Sequence, residues 1–351
     1  MIKDKSIFIK NIYYMLSYAF QVLNEQGYKN IATEEFDNTA ELCAAILARG
    51  ISTQVKRGLG KEYIPQTEAL SSLRGKLDIS ESIKTQTFLK KQMICSYDDF
   101  SVNSVMNRII KSTVLLLVKG DISKSRKKEL RKLMVFFEDV DVIDLYSVNW
   151  NMQYNRNNQT YRMLISICYL VFKGLLQTQS DGTTKLMDFL DEQRMHRLYE
   201  KFILEYYRKE HPELTANASQ IPWQLDDDFG DMLPVMQTDI MLTKDEKTLI
   251  IDAKYYAHTT QRQYDKNTLH SGNLYQIFTY VKNKEAELAE QPHKVAGMLL
   301  YARTDEEVYP EKEYRMSGNQ IGVRTLNLDG DFDMIKNQLN EIAEKFFGEA
   351  V

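Results

Sequence analysis

Three charged side chains in the second half of the chain have the types and spacing needed to act together on a substrate. Asp239 is followed, after twelve intervening residues, by Asp252, Ala253 and Lys254. Residues i and i+2 of a β-strand project from the same face, so the Asp252 carboxylate is expected beside the Lys254 ammonium group. Carboxylate oxygens are preferred ligands of Mg²⁺, and a neighbouring lysine can orient water or stabilise developing negative charge. The pattern therefore predicts a site suited to hydrolysis of a phosphodiester.

The residues around these side chains predict two strands joined by a turn. Polar and apolar residues alternate over 235–243, which is typical of a strand with one buried face. Residues 244–247 are all polar and predict the turn. Residues 248–255 open with a Leu-Ile-Ile run, which suits a strand covered on both faces. If the two strands pair, Asp239 reaches the same place as Asp252.

Spacing alone leaves a second interpretation of these charges open. Asp239, Asp252 and Lys254 could form a structural ion cluster on a sheet edge, because many strands contain such residues by chance. Two carboxylates and one lysine are therefore only a weak signal without further sequence evidence.

Composition restricts the class of protein. The 351 residues suffice for two domains with a large core. The 45 Lys and Arg against 49 Asp and Glu give a net charge of −4, which argues against a stand-alone, high-affinity DNA-binding protein. Cys43, Cys95 and Cys168 lie far apart, without zinc-ligand or disulfide spacing, so we expect a reducing compartment. With neither a signal peptide nor an apolar run of about 18 residues, we expect a cytoplasmic protein.

The order of predicted elements divides the chain into two domains. The polar, Asn-rich stretch 149–160 marks a boundary between an N-terminal α+β domain, residues 1–150, and a second domain, residues 151–351. The second domain has the order helix, strand, strand, helix, strand, which predicts an α/β fold with a mixed sheet flanked by helices. In the first domain, Gly and Pro punctuate residues 57–80 and predict short strands and turns.

Residues 124–132, with the sequence KSRKKELRK, are the most basic run of the chain. One interpretation is a solvated helix face. The other is a surface that contacts phosphates or an acidic partner. The sequence leaves both open.

Helices predicted on either side of the two strands carry further polar residues. Glu200 lies beside an apolar stripe at helical spacing, formed by Tyr199, Phe202, Ile203 and Tyr206. Gln276 and Tyr280 are four residues apart on a predicted helix and share one of its faces. Each of these residues could equally be an ordinary helix-flank or helix–sheet contact.

Longer strings of sequence resemble a known family. They are NIYYMLSYAF at 11–20, RGLGKEYIPQTEALSSLRGKLD at 57–78, NRIIKST at 107–113, DAKYY at 252–256 and NLYQIFTY at 273–280. The D-x(12)-D-A-K pattern resembles the core of the PD-(D/E)XK nucleases. The longer strings, in this order over nearly the whole chain, resemble more narrowly the McrC family, the nuclease subunits of McrBC-type restriction systems that recognise modified DNA.

The resemblance implies a PD-(D/E)XK core and a Mg²⁺-dependent DNA endonuclease. It implies that Mg²⁺ is held by Asp239, Asp252 and the backbone carbonyl of Ala253. Lys254 would position the attacking water. Gln276, and Glu200 on the preceding helix, would support this site.

The same resemblance implies a partner. The chain lacks the G-x(4)-G-K-[ST] phosphate-binding motif, so we expect no GTP hydrolysis by this chain alone. The resemblance implies that it works with an McrB-like AAA+ GTPase ring, stimulates GTP hydrolysis by that ring, and cuts double-stranded DNA that carries methylcytosine. The N-terminal domain would engage the ring, with residues 57–80 and 124–132 as the candidate segments.

Two other functions stay open at the level of sequence. One is a partner-independent PD-(D/E)XK nuclease of repair or mobile-element processing. The other is a non-catalytic scaffold that activates a GTPase. The intact Asp, Asp and Lys set argues against the scaffold, because burying three charges together costs stability without serving such a role.

Overall fold

The chain forms two compact units. The computed structural model describes residues 3–4, 7–24, 28–154, 159–175, 192–227, 229–255, 260–263, 266–303 and 309–348. The first unit combines Met1–Leu42 with Met187–Val351, and the second consists of Cys43–Leu186.

Helices and strands make up most of the described chain. The helices are α1 (Ile9–Ala19), α2 (Thr39–Arg57), α3 (Ile79–Lys84), α4 (Val105–Lys119), α5 (Lys124–Met134), α6 (Gln159–Leu175), α7 (Glu192–Glu210), α8 (Ser271–Glu287) and α9 (Phe332–Phe347). The strands are β1 (Lys3–Asp4), β2 (Ile7–Phe8), β3 (Glu62–Leu70), β4 (Lys76–Asp78), β5 (Met93–Ser101), β6 (Thr215–Asn217), β7 (Gln220–Ile221), β8 (Met236–Gln237), β9 (Ile240–Lys244), β10 (Lys247–Lys254), β11 (Thr260–Gln263), β12 (Lys266–Leu269), β13 (Lys294–Ala302), β14 (Lys312–Met316) and β15 (Asn319–Leu326). None of the described helices has the length and hydropathy needed to cross a membrane.

The first unit is built around a mixed sheet with the strand order β14-β15-β13-β10-β9-β6. β10 runs parallel to β13 and antiparallel to β9, and β13 runs parallel to β15. β10 thus lies inside the sheet, and seven of its eight residues are buried. This explains the Leu-Ile-Ile run, since a strand covered on both faces needs apolar side chains on both. The predicted α/β class with a mixed sheet between helices is confirmed.

Helices cover both faces of this sheet. Ile250 of β10 belongs to a buried cluster with Ile277 and Val281 of α8. Gly297 of β13 lets α8 approach closely, because a Cβ atom there would lie 2.7 Å from the Ile277 side chain. Leu249, whose side chain points the opposite way from that of Ile250, lines a cavity together with residues of α9. The side chains of Asp252 and Lys254 therefore share the α8 face with that of Ile250.

The predicted domain boundary near residue 150 differs from the observed division. Helix α1 packs on α7 of the first unit, where Tyr18 Oη donates a 2.7 Å hydrogen bond to Glu210. Trp150 instead stacks on Phe172 of α6, with the ring centroids 5.5 Å apart, so residue 150 lies within the second unit. Ile12, Met15, Leu16 and Ala19 recur at helical spacing and predict a buried face for α1, but this pattern does not identify the distant helix that covers it.

The second unit contains a small antiparallel sheet with the order β3-β5-β4. β3 and β4 lie within residues 57–80, where short strands were predicted. Gly75 precedes β4 with a φ of +67°, and a Cβ atom there would lie 2.4 Å from the Ser96 carbonyl oxygen of β5. Only glycine fits this close approach. Helices α4 and α6 pack together in the same unit, where Tyr161 Oη donates a 2.7 Å hydrogen bond to Asn107.

Candidate active site

The β9–β10 hairpin brings the two aspartates together. The strands pair antiparallel from Lys247 opposite Lys244 to Ile251 opposite Ile240, so the next position places Asp239 beside Asp252. The Asp239 Oδ2 atom accepts a 2.9 Å hydrogen bond from the amide of Ala253. The predicted pairing of these strands is confirmed.

The first predicted strand is interrupted just before Asp239. Residues 235–243 form two strands, because β8 pairs with β7 while β9 pairs with β10. The break occurs at Thr238, whose amide and hydroxyl donate 3.0 Å and 2.9 Å hydrogen bonds to the Ser219 carbonyl oxygen. Asp239 therefore lies where the chain passes from one sheet to another. Its carboxylate accepts the hydrogen bond of the Ala253 amide, which a backbone carbonyl of the neighbouring strand would otherwise accept.

Lys254 and Asp252 form a buried ion pair, as their i, i+2 spacing predicted. Lys254 Nζ donates a 2.9 Å hydrogen bond to Asp252 Oδ1 and lies 2.8 Å from Oδ2. The contact with Oδ2 is an ion-pair contact only, since no described donor has hydrogen-bond geometry to that oxygen. The side chains are 8% and 1% exposed, so the pair is shielded from solvent.

Helix α8 holds the lysine through a chain of hydrogen bonds. Gln276 Oε1 accepts a 3.3 Å hydrogen bond from Lys254 Nζ, and Gln276 Nε2 donates a 2.9 Å bond to the Tyr280 hydroxyl. The Tyr280 hydroxyl in turn donates a 3.1 Å bond to the Gln237 carbonyl oxygen. Because that hydroxyl has one proton, its use on Gln237 leaves it as an acceptor for Gln276. This fixes the amide so that its oxygen faces the lysine.

Helix α7 contributes Glu200 from the other side. The sequence predicts this helix over residues 188–209, of which 188–191 lie outside the described residues. The Glu200 carboxylate lies 2.5 Å from His196 Nδ1, one turn earlier. The charge of Glu200 acts on Asp239, and that of His196 acts on Asp252. The sequence analysis missed His196, although its i, i+4 spacing to Glu200 was a usable signal.

The environment disfavours charge on both aspartates. Burial, followed by the neighbouring Asp252 and Glu200 carboxylates, raises the pKa of Asp239 to about 8, against the opposing effects of Lys254 and the Ala253 amide. Burial also raises the pKa of Asp252, although Lys254 opposes this shift. Two buried aspartates therefore face the one ammonium group of Lys254, and His196 adds a positive charge only when it is protonated.

These features fit a divalent cation of the Mg²⁺ type. A cation held by Asp239 and Asp252 would relieve their repulsion and give a further partner to the Asp252 Oδ2 atom, which accepts no hydrogen bond from a described residue. The carbonyl of Ala253 faces the same side of β10 as the amide that binds Asp239, because both groups of one strand residue point the same way. Among the described residues, no three His, Cys, Asp or Glu side chains are grouped at metal-binding distance. The donor set therefore suits an ion that retains several waters, as Mg²⁺ does.

A purely structural ion cluster on a sheet edge fits less well. β10 is flanked by β9 and β13, so the charges lie inside the sheet. Removing charges from water is costly unless they are balanced, and here two buried carboxylates share one lysine. The structure brings together all the residues predicted for the site: Glu200, Asp239, Asp252, Ala253, Lys254 and Gln276. Their catalytic roles stay predictions.

Three comparisons place the chain among known proteins. The family described as "McrBC 5-methylcytosine restriction system component" matches residues 4–302. The Escherichia coli (strain K12) protein "Type IV methyl-directed restriction enzyme EcoKMcrBC" is 28% identical over 344 residues, which cover 96% of this chain and 97% of that protein.

A solved structure has the same fold along most of the chain. It is described as a "half-complex from tetradecameric assembly of Thermococcus gammatolerans McrB AAA+ hexamers with bound McrC", with a TM-score of 0.51, 17% identity, and coverage of 96% of this chain and 76% of that chain. At that identity the likeness concerns the fold alone. The resemblance to the McrC family is nevertheless confirmed by the family match, which spans most of the sequence. This chain belongs to the family of McrBC 5-methylcytosine restriction system components.

Proposed function

We propose that this chain is the Mg²⁺-dependent DNA endonuclease subunit of a GTP-dependent restriction complex directed at methylcytosine. The observation that carries the proposal is the meeting of Asp239, Asp252 and Lys254 inside the sheet, with the lysine 2.9 Å from one aspartate. The site would have the PD-(D/E)XK arrangement, and its substrate would be the phosphodiester backbone of double-stranded DNA.

Asp239, Asp252 and the carbonyl of Ala253 would hold the ion in this proposal. When bound, Mg²⁺ would polarise the phosphate and lower the pKa of a bound water. Because the pKa of Asp239 is raised to about 8, this carboxyl would have to release a proton near neutral pH before it could hold the ion. Binding should therefore tighten as the pH rises toward 8.

Lys254 would position the attacking water and attract a phosphate oxygen. Its ammonium group is held in place by hydrogen bonds to Asp252 and Gln276. Gln276 and Tyr280 hold the long lysine side chain in one direction, so little conformational entropy is lost when the substrate arrives. Glu200 would support the site through its charge and its contact with His196.

The partner in this proposal is an McrB-like AAA+ GTPase ring. The E. coli relative bears the name of an McrBC enzyme, and the solved structure contains McrB AAA+ hexamers with bound McrC. The chain has no phosphate-binding motif of its own, so the partner would supply the GTPase. We propose that this chain stimulates that activity through its N-terminal part, within residues 1–150.

Cleavage of methylated and unmethylated plasmid would test the proposed function. Wild type, Lys254→Ala and, as a matched control, Lys312→Ala on the exposed strand β14 would each be assayed with Mg²⁺, with and without the partner and GTP. We expect wild type and Lys312→Ala to cut only methylated DNA, and only with partner and GTP. Lys254→Ala should not cut, yet should still stimulate GTP hydrolysis.

The other outcomes would redirect the assignment. Cutting by wild type without the partner would keep the active site and favour a partner-independent nuclease. Stimulated GTP hydrolysis without cutting under any condition would favour a non-catalytic scaffold. Equal cutting by wild type and Lys254→Ala would remove the site from the mechanism.

A further inference from the structure

Helix α5 of the second unit carries a concentration of positive charge that the proposed active site does not use. Residues 124–132 contain six basic residues and one acidic residue, in a chain whose net charge is −4. Arg126 is paired with that acid, Glu129, at 2.7 Å. The remaining basic residues therefore dominate the surface of the helix.

The helix is firmly seated, so its charges have fixed positions. Leu130, on the inner face of α5, is fully buried. At the N-terminus of the helix, the Ser123 hydroxyl accepts a 3.2 Å hydrogen bond from the Arg126 amide. Just beyond its end, the Phe137 side chain is buried and its carbonyl accepts a 2.8 Å hydrogen bond from Lys111 Nζ. The helix is thus part of the packed unit and differs from a loose basic arm.

The outward face of α5 carries a basic stripe, which consists of Lys124, Lys128, Arg131 and Lys132. These residues occur at i, i+4, i+7 and i+8, and so lie in one row about 12 Å long. All four side chains are exposed. Within the described part of the chain, none of the four forms an ion pair.

The N-terminal part of the stripe opposes the intrinsic electrostatics of the helix, whereas Arg131 and Lys132 in the last turn are favourably placed. The first turn holds basic residues and no acidic residue, although the positive end of the helix dipole lies there. Lys124 and Lys128, and again Lys128 and Lys132, are like charges at i, i+4, which repel. A bound polyanion would reverse both unfavourable effects, since it attracts the lysines and the helix N-terminus alike.

We propose that the basic stripe binds the phosphate backbone of double-stranded DNA, so that this chain itself contacts the duplex outside its cleavage site. The inference rests on the proposed function, which supplies DNA as the substrate. Duplex DNA presents one negative charge per about 1.7 Å of its axis, a density that a row of four cations about 12 Å long complements. The stripe contacts only phosphates in this proposal, and therefore contributes no sequence preference.

Apolar residues near the stripe offer a way to distinguish an acidic protein partner from DNA, because substitutions there should affect only a protein interface. Val135 and Phe136 follow the helix and are 70% and 59% exposed. A protein interface at this place would bury such residues, because interface cores are rich in aromatic and apolar side chains. Phosphate contacts by the stripe need neither of them. Variants of the two sets of residues therefore separate the two kinds of ligand.

The test measures binding of a 30-base-pair duplex in EDTA, where the active site is without metal, over a series of salt concentrations. The full chain, alone and assembled with its partner, would be compared with a stripe variant carrying Lys124→Gln, Lys128→Gln, Arg131→Gln and Lys132→Gln. A matched control removes four other exposed charges of the same unit, outside residues 57–80, through Lys56→Gln, Lys84→Gln, Lys90→Gln and Lys91→Gln. Val135→Ser with Phe136→Ser forms the third protein.

We expect the stripe variant to lose affinity and salt dependence together. Each lost phosphate contact lowers the slope of log K against log salt by about 0.9 and weakens binding at 0.1 M salt by roughly tenfold. The stripe variant should therefore lose about 2 to 4 in slope, against less than about 1 for the control. The Val135→Ser, Phe136→Ser protein should bind DNA as wild type does.

Several results would overturn the proposal. They are an unchanged slope in the stripe variant, an equal loss in the control variant, and a wild type that does not bind the duplex in either form. The stripe would be assigned to an acidic protein if the stripe variant bound DNA normally but no longer stimulated the GTPase, and if the Val135→Ser, Phe136→Ser protein had the same defect. Because binding is read without cleavage, a wild type that binds through the stripe yet never cuts would remove only the proposed nuclease.

Discussion

Strand β10 of the large sheet and strand β3 of the small sheet differ in which side chains they bury. β10 buries Asp252 and Lys254, which are 1% and 6% exposed. Of the nine residues of β3, none is buried, and Tyr63 is 72% exposed. Charged side chains are usually exposed and aromatic side chains are usually buried. β10 departs from this rule by burying charges, and β3 departs from it by exposing an aromatic side chain.

The contrast separates two kinds of functional surface. Around β10 the polar groups are connected to one another within the first unit, from Lys254 through Gln276 and Tyr280 to the backbone of Gln237. A closed arrangement of this kind suits chemistry on a small reacting group. On the small sheet, apolar side chains remain exposed, which suits contact with another protein. We interpret β10 as the place of the reaction and β3 as a docking surface.

Loss of a carboxylate from β10 should have the largest effect. Asp252→Asn keeps the shape of the side chain but removes its charge, so we expect DNA cleavage to fall by roughly a thousandfold or more. The matched control is Asp245→Asn in the exposed hairpin turn, where φ is +51° and Asn is well tolerated. Cleavage assays and circular dichroism of both variants would provide the comparison. Near-normal cleavage by a folded Asp252→Asn protein would exclude this site.

A change on the small sheet should act on the partner and spare the chemistry. Tyr63 lies opposite Phe100 on β5, with the ring centroids 4.9 Å apart and both side chains exposed. If this pair docks on the GTPase ring, Tyr63→Ser with Phe100→Ser should reduce GTPase stimulation by about tenfold or more, as loss of a central aromatic contact does. Tyr314→Ser with Met334→Ser, exposed in the other unit, is the control. Normal GTPase stimulation by the first pair would end the proposed docking role.

The sequence sufficed to predict the core of the site because its information is local. Alternation along the strands determined which face carries Asp239, Asp252 and Lys254, and the hairpin turn determined their register. The four-residue spacing of Gln276 and Tyr280 likewise predicted one shared helix face. Each of these relations spans few residues and depends on strand or helix geometry alone.

The features that the sequence analysis missed depend on distant contacts. The break at Thr238 arises from hydrogen bonds to Ser219, nineteen residues earlier. The assignment of α1 to the first unit depends on its packing against α7, which is remote in sequence. An alternating pattern or an apolar stripe shows that a segment is buried, but it does not identify the segment that buries it.

The hydrogen-bond chain from α8 offers a smaller test of the closed arrangement. Tyr280→Phe removes the hydroxyl that joins Gln276 to Gln237, so the Gln276 amide can rotate away from Lys254. We expect kcat for DNA cleavage to fall by about tenfold to a hundredfold with little change in KM, since the substrate is not contacted. Tyr275→Phe, on the exposed side of the same helix, is the control. A change confined to KM would mean that Tyr280 binds DNA.

The smallest expected effect concerns stability and follows from the charges that β10 buries. Burial and the nearby Asp252 and Glu200 carboxylates raise the pKa of Asp239 to about 8. A carboxyl with a higher pKa in the folded state stabilises the protein fully below about pH 4 and loses that contribution as the pH rises through about 8. Without metal, wild type should therefore lose stability between pH 7 and pH 8 relative to Asp239→Asn, by at most about 1.4 kcal/mol.

Thermal unfolding in EDTA at pH 7 and pH 8 would measure this difference. From the lower to the higher pH, the unfolding midpoint of Asp239→Asn should rise by a few degrees relative to that of wild type. About 1 kcal/mol corresponds to roughly 2–4 °C for a unit of this size. Asp333→Asn, exposed on α9, should follow wild type at both pH values. Addition of Mg²⁺ at pH 8 should raise the wild-type midpoint and leave that of Asp239→Asn almost unchanged. A pH-independent difference would mean that Asp239 is not buried against the other carboxylates, and β10 would then lose its contrast with β3.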